Sequence, residues 1–176
     1  NQTSPTSPVG LSTYTHPRGA WLPPLNPTQA TLGFTNVSFV AQTVDWNPGH
    51  MMATLEAAYQ HQGFSFVRII QRCPHFAKGL HDAEQTNPDS TLYLNHERGI
   101  TLPEEQARIY KNRAEHDPSD LVAGVAHATE KELIPIGLFY HDPECMRYDD
   151  IGAANIDTTP EHKLATIHRE LDRFAV

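Results

Sequence analysis

The chain has 176 residues, of which 13 are basic and 21 acidic, so its formal net charge is −8. This excess of acid argues against proteins that bind nucleic acids or anionic membranes non-specifically, because both depend on clustered Lys and Arg. No apolar run approaches the roughly 20 residues of a membrane-spanning helix, and two cysteines are too few for a disulfide framework. We therefore expect one domain with a hydrophobic core in a reducing, cytoplasmic environment, with neither nucleic acid nor membrane as a partner.

Prolines interrupt residues 1–27 throughout, which predicts an extended, irregular arm. Apolar side chains such as Trp21 and Leu22 make a solvated tail improbable, so we expect the arm to pack on another surface, for example a partner subunit. Because the chain opens directly in this loop at Asn1 rather than Met, we also expect further sequence upstream.

The middle of the chain predicts a strand–helix–strand unit. The predicted elements are a short helix over 27–33 capped by Asn26, a strand at 37–43, a helix from Asn47-Pro48 to Gly63, and a strand at 64–70. In this order the two strands should be parallel neighbours with a right-handed crossover. The active centre of such a sheet lies beyond the carboxyl ends of its strands, and Cys73 follows one of these ends.

The secondary-structure signals become weaker over residues 77–118. The further predicted elements are a helix over 103–114, a helix from Ser119 or Asp120 to about 130, a strand at 134–140, and a helix that begins at Thr159-Pro160.

Cys73 is the residue most able to take part in chemistry. A thiolate in a turn stiffened by Pro74 can ligate an iron–sulfur cluster, which cysteines hold in sets of four. On its own, however, a single cysteine is more typical of a small buried apolar residue. Zinc held by Cys73, His75 and His81 lacks the second compact ligand pair, and Cys73 and His75 are badly placed for a catalytic dyad because neighbouring side chains of an extended segment point apart.

The first eight residues form a second candidate element, rich in short hydroxyl and amide side chains that include Gln2 and Ser4. Such a loop can wrap a phosphate, although its composition alone is more typical of an ordinary surface turn. Histidines on predicted helices, among them His50 and His61, are expected to be surface residues or hydrogen-bonded partners, and none is assigned as a catalyst.

Several segments together resemble the later part of the β subunit of 2-oxoacid:ferredoxin oxidoreductases. Residues 2–8 resemble that family's Gly-Gln-x-Ser-Pro-Thr-x-Pro motif, with Asn1 where the family usually has Gly. The resemblance continues through His16-Pro17-Arg18-Gly19, PPLNP (23–27), FVAQTVDWNPGH (39–50), GFSFVRIIQRCPHF (63–76), HDPSDLVAGVAHA (116–128) and IPIGLFY (134–140).

The resemblance implies an α/β fold, namely the C-terminal part of a parallel-sheet, three-layer sandwich of the thiamine pyrophosphate-binding type. It divides the chain into an extended arm next to the cofactor site (1–36), the later half of the α/β domain (37–140) and a helical C-terminal extension (141–176).

The resemblance also implies a function: thiamine-dependent, coenzyme A-linked oxidative decarboxylation of a 2-oxoacid, either 2-oxoglutarate or pyruvate. Electrons would pass through a [4Fe–4S] cluster, with Cys73 as its fourth ligand, to ferredoxin. Gln2 and Ser4 would lie near thiamine pyrophosphate, while upstream residues outside this chain would bind Mg²⁺ and most of that cofactor. An α subunit would be the partner, Arg72 and His75 would tune the cluster, and the chain alone would contain no catalytic residue and be inactive.

Two other functions remain open from the residues. One is a cluster-free thiamine-dependent 2-oxoacid decarboxylase subunit, in which Cys73 is merely buried. The other is a non-catalytic subunit-interaction module that docks through its proline-rich arm.

Overall fold

The computed structural model describes residues 3–73, 75, 77–153, 157 and 159–174. Its α-helices are α1 (Pro27–Leu32), α2 (Pro48–Gln60), α3 (Asp82–Thr86), α4 (Glu104–Ala107), α5 (Leu121–Ala128), α6 (Tyr148–Ala153) and α7 (Pro160–Asp172). Its strands are β1 (Phe39–Val44), β2 (Ser65–Ile70), β3 (Thr91–Asn95), β4 (Asn112–Glu115) and β5 (Ile134–His141).

The five strands form one mixed sheet in the order β2-β1-β5-β3-β4. β1 and β2 are parallel neighbours, as β1–α2–β2 predicts, and β3 is parallel to both β4 and β5. β5 runs antiparallel to β1, so the sheet is parallel in two blocks of opposite direction rather than throughout. The α/β class predicted from the sequence is confirmed.

Helices cover both faces of the sheet, and the alternation of side chains along β1 explains why. Val40 packs with Leu32 of α1 and Ala128 of α5 on one face. Phe39 and Ala41, which point the opposite way, pack against the alanines of α2. Because consecutive residues of a fully buried strand need apolar partners on both sides, this apolar run dictates three layers.

Local caps start the helices where the sequence predicts. The Asn26 side chain accepts a hydrogen bond from the backbone N–H of Gln29, and Asn47 accepts one from His50. Each cap precedes a proline in the first turn, whose fixed φ suits the helix and whose missing N–H costs nothing there.

The helix predicted over 103–114 is wrong beyond its first turn. Only Glu104–Ala107 is helical, and Asn112–Glu115 pairs with β3 in parallel register. Tyr110 is 4% exposed, and its ring stacks on Tyr93 at a centroid distance of 5.7 Å. Burial of this ring and the strand pairing outweigh the helical propensity of the segment.

The chain divides into two compact units, one that ends at Pro143 and one that begins at Glu144. The second unit contains α6 and α7, which confirms the predicted helical extension. α7 leaves the apolar side chains of Leu164, Ile167 and Leu171 exposed. Among the described residues, no helix has the length and apolar composition needed to cross a bilayer. The three-part division at residues 36 and 140 stays a prediction.

Candidate functional site

An ion pair joins the carboxyl ends of β1 and β2. Asp45 follows β1 and Arg72 lies two residues beyond β2, and the Arg72 Nε donates to Asp45 Oδ1 at 3.2 Å. The backbone N–H of Arg72 donates to the other carboxylate oxygen, also at 3.2 Å, and Asp45 N–H donates to the Ile70 carbonyl at 3.0 Å. Three hydrogen bonds therefore fix the path of the chain immediately before Cys73.

Cys73 lies where the sequence predicts, in the turn that follows β2. Its carbonyl accepts a hydrogen bond from the Ala77 N–H at 3.0 Å, and its side chain is half-buried. It forms no disulfide with Cys145, which belongs to the other unit. The turn thus presents a thiol from a fixed backbone.

The arm folds back on itself instead of trailing away. The Gly10 N–H donates to the Ala20 carbonyl and the Leu25 N–H to the Pro5 carbonyl, both at 2.8 Å. Gly19 has φ +85°, and a side chain there would place its Cβ 2.9 Å from the Gly10 carbonyl oxygen. Glycine is therefore required at this neck, since only glycine combines that φ with so close an approach.

Residues 4–7 form a compact turn at the start of the arm, which we term the hydroxyl loop. The Ser4 N–H donates to Ser7 Oγ at 2.8 Å, and the Ser4 and Thr6 hydroxyls are 2.8 Å apart. The side chains of the turn are thereby held in one small group.

A cleft of about 570 Å³ brings the two predicted elements together. Its polar lining residues include Ser4, Thr6, Ser7, Arg68, Cys73 and His81. The predicted residues Ser4 and Cys73 therefore share one cavity. His75 is exposed and lines a separate pocket with Tyr14 and Lys78, and Gln2 lies outside the described residues.

Arg68 is a member of this cleft that motif reasoning missed. It lies on β2 opposite Gln42 of β1, and its Nη1 donates to Gln42 Oε1 at 3.1 Å and towards Asn26 Oδ1 at 3.5 Å. Burial lowers the pKa of Arg68, although a guanidinium remains charged. The available signal was a single cation inside the apolar run FSFVRII.

His81 is the one described residue other than glycine with positive φ, at 66°. Its ring lies 5.9 Å from that of Trp46, and its buried Nδ1 has no hydrogen-bond partner among the described residues. A β-carbon in this region of φ/ψ space is strained, so packing on Trp46 must hold the residue there.

His50 is fully buried as a hydrogen-bonded partner, which is the second of the two alternatives expected for helical histidines. Its Nδ1 lies 2.8 Å from the Thr43 hydroxyl, and burial lowers the pKa of the ring to about 4. The signal in the sequence was its spacing of four from Thr54, which places both on the sheet-facing side of α2.

The part of the chain that the structure describes does not assemble a complete metal site of its own. No group of three or more His, Cys, Asp or Glu there could hold a metal ion, so Cys73, His75 and His81 do not assemble a zinc site. Cys73 can supply one thiolate to a cluster, because it is half-buried and lines the cleft. The other ligands of such a cluster must come from elsewhere.

Comparison with known proteins reveals three relationships. Residues 106–154 match the family model for the C-terminal part of the pyruvate ferredoxin oxidoreductase beta subunit. The chain is 40% identical over 82 residues to the 2-oxoglutarate oxidoreductase subunit KorB of Mycobacterium tuberculosis, a match that spans 47% of this chain and 22% of that protein.

A solved structure shares the fold. It is the 2-oxoglutarate:ferredoxin oxidoreductase of Magnetococcus marinus with 2-oxoglutarate, coenzyme A and succinyl-CoA bound. The TM-score is 0.67 at 24% identity, and the match covers 95% of this chain and 52% of the other. The chain therefore spans about half the length of that solved chain.

Proposed function

On the premise that this chain matches part of the β subunit of a 2-oxoacid:ferredoxin oxidoreductase, as the sequence predicts, we propose that it serves the oxidative decarboxylation of a 2-oxoacid with coenzyme A. The observation that carries this proposal is the cleft that holds both Ser4 and Cys73. It lies along the carboxyl-terminal half of β2 and the turn that follows, near the strand ends where ligands bind in sheets of this kind.

The first candidate substrate is 2-oxoglutarate. The KorB relative is named for it, and the solved relative holds it together with coenzyme A and succinyl-CoA. Pyruvate is the second candidate, because the matching family model is named for pyruvate. In both cases the wider enzyme would supply residues that these 176 do not include.

Cys73 is proposed as one ligand of a [4Fe–4S] cluster. When bound, such a cluster would pass single electrons to ferredoxin. The ion pair between Asp45 and Arg72 would hold the Cys73 turn in place. Because Arg72 is paired with this carboxylate, it is a weaker candidate for tuning the reduction potential of the cluster. His75 lines a different pocket.

Thiamine pyrophosphate and Mg²⁺ are proposed to be bound mainly by upstream residues, with the hydroxyl loop at the edge of that site. Ser4 supports this arrangement because its hydroxyl belongs to a loop held by internal hydrogen bonds. The proposed role of Gln2 falls outside the described residues.

An α subunit and ferredoxin are the proposed protein partners, in a cytoplasmic hetero-oligomer. The arm supports a subunit contact, because it exposes 90% of Tyr14, 73% of Trp21 and 80% of Leu22. Large aromatic side chains in this state are typical of surfaces that a partner covers.

The experiment is Cys73→Ser in the intact enzyme, with Cys145→Ser as the matched control. We expect Cys73→Ser to lose the iron of one cluster or to change its electron paramagnetic resonance spectrum, while Cys145→Ser keeps both. Unchanged iron and spectrum in Cys73→Ser would remove Cys73 from the ligand set. Active wild-type enzyme that contains no iron would instead favour the cluster-free decarboxylase.

A further inference from the structure

Arg68 is a half-buried cation without an acidic partner. Within the part of the chain that the structure describes, no carboxylate forms an ion pair with it. Its contacts are amide oxygens, those of Gln42 at 3.1 Å and Asn26 at 3.5 Å. Because the side chain is only half-buried and lines the cleft, its uncompensated charge is available to an anion from outside the chain.

The geometry of the guanidinium leaves its binding edge available. Both contacts use Nη1, and Gln42 is itself held by the Thr28 hydroxyl at 2.9 Å and the Pro135 carbonyl at 2.7 Å. The Nε and Nη2 donors have no hydrogen bond among the described residues. These two donors form the fork that grips a carboxylate or phosphate with two parallel hydrogen bonds.

The hydroxyl loop has at least one proton to donate. Its three hydroxyl groups make two contacts with one another, Ser4 with Thr6 at 2.8 Å and Ser4 with Ser7 at 3.5 Å. Two such contacts use at most two of the three hydroxyl protons. The third can point into the cleft, which Arg68 also lines.

Glu84 and His81 are the other titratable groups of the cleft besides Cys73. Glu84 Oε1 lies 3.8 Å from His81 Nδ1, so these two side chains face each other. Burial is the cause of the pKa shift of Arg68, with no attraction from Glu84 raising that pKa. Glu84 therefore leaves the charge of Arg68 uncompensated.

We propose that Arg68 and the hydroxyl loop bind the oxyanion group, a phosphate or a carboxylate, of a small organic ligand that enters this cleft. Gln42 and Asn26 act as positioning residues that hold the guanidinium from behind. The site rests on the geometry of the cleft and does not require Cys73 to be a cluster ligand, so the two proposals fail separately.

The test is titration of the full 176-residue chain, labelled at arginine Nε, with inorganic phosphate and with glutarate, followed by NMR. We expect a saturable shift of the Arg68 Nε–H signal. Saturation by phosphate assigns the group to a phosphate ester, and saturation by glutarate assigns it to a carboxylate. Absence of a shift with both probes overturns the proposal.

Variants distinguish the charge of Arg68 from its two-donor geometry, with affinity measured from the amide signals of Ser4, Thr6 and Ser7. Arg68→Gln should weaken binding at least tenfold, and Arg68→Lys, which keeps the charge but lacks the fork, should weaken it less. The matched control is Arg98→Gln, because Arg98 pairs with Asp117 at 2.6 Å and lies outside this cleft. Equal affinity in the wild-type and Arg68→Lys proteins overturns the two-donor contact, and this test holds even if Arg68→Gln does not fold.

Discussion

The two ends of β1 differ in whether their polar groups are hydrogen-bonded within the chain. At the amino end, the Ser38 hydroxyl donates to the Phe64 carbonyl at 3.0 Å and accepts from the Phe64 N–H at 3.1 Å. At the carboxyl end, the cleft contains Arg68, with which no described carboxylate forms an ion pair, and His81, whose buried Nδ1 makes no hydrogen bond with a described residue. Groups whose hydrogen bonds are made within the chain stabilise the fold, whereas the unused donors of Arg68 are available to a ligand, so the comparison supports the site proposed at the carboxyl end.

The hydrogen bonds of the Ser38 hydroxyl also fix the tautomer of His61. Because its one proton goes to Phe64, Ser38 Oγ must accept from the His61 Nε2–H, which lies at 3.0 Å. His61 Nδ1 then accepts from the His141 Nε2–H at 3.2 Å. The amino end is thus a directed chain of hydrogen bonds from His141 through His61 and Ser38 to Phe64.

The largest expected effect at the carboxyl end is the acid sensitivity of His50. Its pKa falls from 6.5 to about 4 on folding. Between these two pH values the unfolded state binds a proton that the folded state does not bind. This contribution to stability is complete above pH 6.5 and is lost as the pH falls towards 4, by about 3 kcal/mol in total.

Urea unfolding between pH 7 and 4 tests this. His50→Asn should lose about 3 kcal/mol less than the wild type over the range. The exposed His168→Asn should behave as the wild type does. Identical pH slopes for His50→Asn and the wild type would show that His50 does not control acid stability.

The next effect concerns the closed amino end. Ser38→Ala deprives Phe64 of both hydrogen bonds and His61 of its acceptor, and should cost about 2 kcal/mol of unfolding free energy. Ser65→Ala is the matched control, since Ser65 makes one such bond, to the Ala58 carbonyl at 2.9 Å, and should cost about 1 kcal/mol. If Ser38→Ala and Ser65→Ala lost the same unfolding free energy in chemical denaturation, that result would contradict the network of hydrogen bonds around Ser38.

The smallest expected effect is at the ion pair. Asp45→Asn should lower the unfolding free energy by about 1 kcal/mol or less, because its partner Arg72 is 34% exposed and solvent screens the pair. Asp89→Asn, which breaks the more exposed pair with Lys111, should cost even less. A loss of several kcal/mol in Asp45→Asn would mean that the carboxyl end, too, is built for stability.

Sequence patterns predicted the elements whose causes are local. Asn26 and Asn47 cap their helices through bonds three residues away, and β1–α2–β2 follows from apolar runs separated by a helix. β4 escaped prediction because NRAE has little strand propensity, and its pairing with β3 decides the outcome. β3 was missed although its sequence TLYLN contains the strand-favouring residues Thr91 and Tyr93. The antiparallel placement of β5 has the same non-local origin.

The candidate site also has one part that the sequence predicts and one part that depends on distant contacts. The position of Cys73 after a strand was predictable, but its meeting with Ser4 depends on the bond between Leu25 and Pro5, twenty residues apart. Burial of Arg68 depends on Gln42 across the sheet, a contact that no motif encodes.

The glycine neck of the arm has a thermodynamic consequence. Since the close approach of Gly19 to Gly10 and the Leu25–Pro5 bond constrain the loop when the chain folds, its conformational entropy is lost before any ligand arrives. A ligand then meets hydroxyl groups already in position, and little of its interaction energy goes into ordering them. Affinity at this cleft should therefore depend on the backbone of two glycines that never touch the ligand.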